Sequence, residues 1–240
     1  MDMDDRRWDK LAAATGVAFV ALILASSFVV PKSPPKIDDP INKIGKFFFD
    51  HHNGLLWGGW LGLLATLFGL WFFGTVAHWV RRQAQPRLAT IAFGGGVVAV
   101  AMALIGSLLS TTLAYLVTAP DDIGAPVARA MYDTSDMAYT FIWIPIAVFV
   151  AAVSMAGMRS RAMPQWLWGS GAVYAVLAVV ASAGLFAHSG AFAPGGVFQL
   201  IAFLLFAAWA LALSLWLWSR VGMEQTAPPM TAQQPMATTS

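Results

Sequence analysis

The chain contains no cysteine. Disulfides, thiolate metal sites and cysteine nucleophiles are thereby excluded. Charge is scarce too: 11% of residues are Asp, Glu, Lys or Arg, against about 25% in an ordinary soluble domain. The formal net charge is +2, too small for a nucleic-acid-binding surface. Several chemical signatures are missing. Gly94-Gly95-Gly96 is not followed by Gly-Lys-Ser/Thr, so there is no phosphate-binding loop. No Gly-x-Ser-x-Gly elbow occurs, and Gly169-Ser170-Gly171 has no catalytic partner nearby in sequence. No lysine falls inside any long apolar run, which argues against a retinal Schiff base.

What is present is apolar. Hydrophobic residues make up 58% of the 240, more than a soluble fold of this size can hide behind its few polar groups. The remaining solvent for that surface is lipid, where about 20 consecutive apolar residues span the hydrocarbon as a helix. Six runs qualify: residues 11–30, 55–80, 88–117, 137–158, 166–187 and 197–218. Backbone groups in lipid must be satisfied within the segment. The runs are continuous rather than alternating, so helices are expected and a barrel is rejected. The predicted fold class is all-α, a polytopic bundle of six transmembrane helices. The first run exceeds the usual signal-peptide core of about 7–15 residues and has acids before it, so it is read as an uncleaved helix.

Orientation follows from Lys and Arg in short loops. The connections holding Arg81, Arg82 and Arg87, and Arg159 and Arg161, are short and purely basic. Both termini are therefore predicted cytoplasmic. Residues 1–222 read as one transmembrane domain and 223–240, rich in Pro, Gln, Thr and Ser, as a disordered cytoplasmic tail. The outer loop 31–53 begins with Pro31, Pro34 and Pro35. It continues into a short amphipathic stretch in which Ile41, Ile44 and Phe48 share a face. That pattern predicts a short helix lying on the membrane surface.

Gly54, Gly58 and Gly62 repeat at four-residue spacing and predict a face where another helix approaches closely. The neighbour expected there is the third helix, with its Gly94-Gly95-Gly96 run, or a second copy of the chain. Trp57, Trp79, Trp166 and Trp218 fall near helix ends, where an indole suits the headgroup region. Trp143 and Trp209 lie deeper and read as packing residues.

Ionisable groups near hydrocarbon are costly and mark candidate sites. Here they gather at the predicted outer end: Asp50, His51 and His52 before the second run, Asp133 and Asp136 before the fourth, and His188 after the fifth. These six are the candidate ligand-binding residues, with Tyr139 and Gln199 nearby in sequence. Histidines and carboxylates together form a donor set zinc would accept, so His52, Asp136 and His188 are metal candidates. The plainer reading leaves the histidines as wet interfacial residues and Asp136 as an acid favoured by a helix N-terminus. No catalytic residue and no cofactor is assigned.

With Phe49-Asp50-His51-His52-Asn53 before the second run, Met163-Pro164-Gln165-Trp166-Leu167 opening the fifth and Ala193-Pro194-Gly195-Gly196 opening the sixth, a resemblance emerges. Over about residues 8–220 the chain resembles bacterial six-helix membrane proteins of the group called domain of unknown function 4386. The resemblance implies the six-helix architecture and a bacterial cytoplasmic (inner) membrane. It carries no activity and no site residue. Three functions remain open on these grounds: binding or transport of a small or lipid-like molecule at the outer mouth, a metal-dependent membrane hydrolase using the same cluster, or a scaffold. The expected partners are the lipid bilayer and a second copy or another membrane protein.

Overall fold

The computed structural model describes residues 3–29, 34–119 and 124–223, with the side chains of 3–10, 12–13 and 221–223 left aside. The disordered tail expected over 223–240 lies, beyond Met223, outside the described residues. Among the described residues seven α-helices form: α1 (Met3–Val29), α2 (Ile41–Arg82), α3 (Pro86–Leu116), α4 (Ala125–Phe141), α5 (Trp143–Ser160), α6 (Gln165–Ser182) and α7 (Val197–Met223). A 3₁₀ turn, Ala183–Phe186, prolongs α6. No strand occurs among the described residues. Among the described residues five helical stretches are long and apolar enough to cross a bilayer, with α4 and α5 counted together, and Ala14–Val29 of α1 is a shorter sixth. The chain is an all-α membrane bundle of six crossings.

The helices close into a ring in which α1 packs on α2, α2 on α3, α3 on α5, α5 on α6, α6 on α7 and α7 back on α1. Its centre is aromatic. Phe149 is fully buried, and its ring meets those of Phe73 at 4.7 Å, Trp209 at 6.1 Å and Phe72 at 6.3 Å between centroids. Phe19 from α1 and Phe206 from α7 complete the stack. In lipid, helices gain little from hydrophobicity and are held by close packing. Small residues supply that packing. Gly95 of α3 lies directly on the α5 backbone at Pro145 and Phe149, and Gly96 lies under the Phe73 ring.

The glycine stripe of α2 is occupied within the chain, mainly by α1. Gly54 faces the Val29 carbonyl, Ser26 Oγ donates to the Gly58 carbonyl at 2.8 Å, and Gly62 faces both Ser26 and Ser107. It is Gly59, one residue off the stripe, that receives Thr111 of α3. Trp143 and Trp209 are buried, as expected of packing residues.

Three boundaries depart from the sequence expectation. First, residues 41–82 form one unbroken helix, so the separate surface helix is the beginning of α2. At about 1.5 Å per residue its 42 residues reach about 63 Å, roughly twice the hydrocarbon thickness. The apolar face of its first turns is covered by protein: Ile44 and Phe48 are buried against Leu113, Ala114, Ala128 and Tyr132.

Second, the fourth crossing starts at Ala125, twelve residues before the predicted 137. Gly124 takes φ +73°, and Pro126 sits in the first turn, where it loses no hydrogen bond. Asp133 and Asp136 therefore stand inside a helix, and the reading of Asp136 as an acid at its own helix N-terminus is corrected. Third, that crossing is interrupted at Ile142. Pro145 cannot donate to the Phe141 carbonyl and crowds it, and the helix restarts with Ile146 N–H bonding Ile142 O at 3.1 Å.

Candidate functional site

The first turns of α2, the C-terminal end of α3, α4 and the segment 34–40 form a cap on the predicted outer end, with a small core of its own. α4 organises it. Arg129 and Asp133 are one turn apart, and Nε donates to Asp133 Oδ2 at 2.8 Å. The remaining guanidinium donors reach across to the 34–40 strap: Nη1 to the Asp39 carbonyl at 2.7 Å, and Nη2 to the Ile37 carbonyl. One turn on, Tyr132 is buried edge-on against Phe48 and donates its hydroxyl to the Pro35 carbonyl. Asp136 follows one turn later on the same helix. Asp133 Oδ1 is buried and has no partner.

The strap has internal bonds of its own. Asp39 N–H donates to the Lys36 carbonyl at 3.0 Å, and the Asp39 carboxylate accepts from Lys36 N–H and Lys43 Nζ, both at 2.8 Å. The Lys43 bond first, then the Lys36 amide, hold the Asp39 carboxyl below its ordinary pKa of 3.8. A depressed carboxyl contributes stability above its unfolded pKa and loses it as pH falls through the folded value. Hydrogen exchange at residues 36–39 is therefore expected to be unaffected by this group from pH 8 down to about 5 and to rise below about 4. A rise already between pH 7 and 5, after correction for intrinsic exchange, would contradict it.

On its other side Asp136 meets the start of α7. The loop after α6 turns tightly, with Gly190 at φ +86° and Gly195 at φ +72°. Its Gly195 lies beside the Asp136 carboxylate, such that a Cβ there would be 3.8 Å from Oδ2. Gly195 N–H donates to Gln199 Oε1, Gln199 Nε2 to Thr140 Oγ1, each at 3.1 Å, and Thr140 Oγ1 to the Asp136 carbonyl at 3.0 Å. Gln199 and Thr140 are both buried. Asp136 thus sits where α4 meets the entry to α7, close to the positive end of α7 rather than of its own helix.

The histidines do not join it. His51 Nδ1 pairs with the Phe47 carbonyl at 2.9 Å with its ring against Phe47, and His52 Nδ1 pairs with the Phe49 carbonyl at 2.8 Å. Both imidazoles thus cap carbonyls of their own helix. Asp50 is exposed, and His188 is exposed in the loop after α6. Tyr139 turns toward α3, where its ring covers Gly106. Among the described residues no three His, Asp or Glu side chains are grouped to hold a metal ion, so His52, Asp136 and His188 do not assemble into the metal set considered from sequence.

Of the candidate residues, the structure brings Asp133 and Asp136 into one site. It adds Arg129, Tyr132, Thr140 and Gly195, and it places Gln199 there. The Arg129/Asp133 and Tyr132/Asp136 spacings were visible as helical neighbours, but only for a helix that begins by residue 129.

The fold and this cap define a polytopic α-helical membrane protein with a polar site at one mouth of the bundle. Residues 11–220 match the family model described as a domain of unknown function, DUF4386, and the chain belongs to that family. Comparison with curated proteins and with solved structures returns no significant match.

Proposed function

We propose that this protein, in a bacterial cytoplasmic membrane, binds or transports a small or lipid-like molecule that bears hydrogen-bond donors, taken up at the outer mouth. The observation that supports this reading is the arrangement around Asp136. Arg129 pairs with Asp133 through Oδ2, which leaves the buried Asp133 Oδ1 without a hydrogen-bond partner, one turn from the Asp136 carboxyl. An ammonium-bearing headgroup complements such a pair, and does so better than the hydroxyls of a net anionic headgroup. Neutral and anionic headgroups without donors do not. The apolar depression between α3 and α4, lined by Leu109, Val127, Ala130 and Met131, adjoins the cap on its lipid-facing side and suits an acyl chain.

The test is native mass spectrometry of detergent-purified protein given phosphatidylethanolamine or phosphatidylglycerol at equal concentration. Preferential retention of the amine lipid is expected, with a loss of about tenfold in Asp136→Asn, the scale of one hydrogen bond to a charged group. Equal retention of both lipids, or an unchanged Asp136→Asn, would count against the reading.

A further inference from the structure

We infer that the segment 34–40 is a hinged flap over the Asp133–Asp136 pair and that Arg129 is its latch. This rests on the reading of that pair as a binding site.

Four observations carry it. The flap is tied to α4 by three hydrogen bonds, all from side-chain donors of α4 to flap carbonyls: two from Arg129 and one from Tyr132. Side-chain donors to main-chain carbonyls can be exchanged for water without unravelling a helix. The flap keeps its shape when released, because the turn between Lys36 and Asp39 is closed by its own bonds and anchored to α2 through Lys43. Arg129 is not left unpaired by release, since Asp133 remains one turn away on the same helix. Finally, Tyr132, whose hydroxyl is tied to Pro35, stands one turn before Asp136 on the same helix, so lifting Pro35 opens the outer side of that turn.

A merely structural strap would be expected to bury apolar side chains. Here Pro35 is the one buried residue of the segment, while Pro34, Lys36, Asp38 and Pro40 are exposed. The flap is held by polar ties, and polar ties to an arginine are what a competing headgroup or water can replace.

The absence of cysteine makes access directly measurable. In an Asp136→Cys background, the rate of labelling by a membrane-impermeant maleimide is compared with and without Arg129→Gln. The expected result is labelling faster by about tenfold or more, the factor for removing charge-assisted hydrogen bonds from the closed state. Hydrogen exchange at 34–40 should rise in parallel in Arg129→Gln that retains Asp136. A control cysteine at Ser154, which is buried in the bundle, should label no faster.

Should Arg129→Gln fail to fold, Tyr132→Phe removes one tie while keeping the ring, and a smaller acceleration is expected. Unchanged labelling and exchange in a folded variant would overturn the latch, as would equal acceleration at the Ser154 control. None of these readings requires a bound lipid. Faster labelling without selective lipid retention would leave the flap standing and sink the binding reading, and the converse result would do the opposite.

Discussion

Gly95→Val should be among the most damaging single changes in the bundle. A Cβ on Gly95 would lie 2.8 Å from the Pro145 carbonyl oxygen and 2.9 Å from the Phe149 amide nitrogen. Both are main-chain atoms of α5, so no rotamer change relieves the contact. α3 and α5 would have to separate along the seam that carries the aromatic centre. Overpacking a well-filled core costs about 1–3 kcal/mol and occasionally more, and a β-branched side chain against backbone belongs at the upper end. The adjacent Gly94 is the matched control, because nothing lies within 4 Å of a Cβ there. Gly94→Ala should leave stability unchanged or slightly raised. Thermal unfolding in detergent, read by intrinsic tryptophan fluorescence, separates the two. Similar midpoints for Gly94→Ala and Gly95→Val would mean that α3 and α5 are not in this contact.

Phe149→Ala should cost about 3–5 kcal/mol, the range for removing a large buried ring. The residue is fully buried and touches rings from α2 and α7 as well as lying opposite Gly95. Lipid cannot fill the space from the side, since Phe72 and Phe73 are equally enclosed. Phe149→Leu keeps most of the volume and should lose less than half as much. A measured loss under about 1 kcal/mol for the alanine variant would show that the ring stack contributes little to holding the helices together.

Much of the architecture was legible in the chain because lipid imposes a simple rule. A run of apolar residues long enough to cross must be helical, and composition alone locates it. The deep tryptophans, Trp143 and Trp209, were read correctly for the same reason. The start of α4 was not legible. Residues 125–136 include Arg129, Asp133 and Asp136, which lowers their hydropathy below that of a spanning segment. Their helix is stabilised by packing on α3 and the first turns of α2, which no hydropathy window senses. The Gly124-Ala125-Pro126 signal marked the true start but is short. The amphipathic pattern over 41–48 was real. It could not reveal whether lipid or protein covers Ile44 and Phe48, because either would accept the same face.

The site divides in the same way. Asp133 and Asp136 stood out because charge near hydrocarbon is rare and costly. The histidines stood out for the same reason, yet each pairs locally or faces outward. Proximity along the chain says nothing of convergence when the elements lie on different helices. Arg129 and Tyr132 were not singled out as site residues, since their ties to the strap go to main-chain carbonyls ninety or more positions away. Carbonyls are present at every residue and leave no mark in a sequence.

What the sequence by itself determined is the solvent. Its lack of charge and its six apolar runs commit the chain to a bilayer as an all-helical bundle, because an unpaired backbone cannot be solvated there. Which faces meet was decided only in three dimensions. The glycines of α2 fit α1 as well as they would fit another helix, and two aspartates become a site only where α7 and the strap close around them. Helix pairing in lipid depends on shape at close range rather than on hydrophobicity, and shape belongs to the assembled bundle.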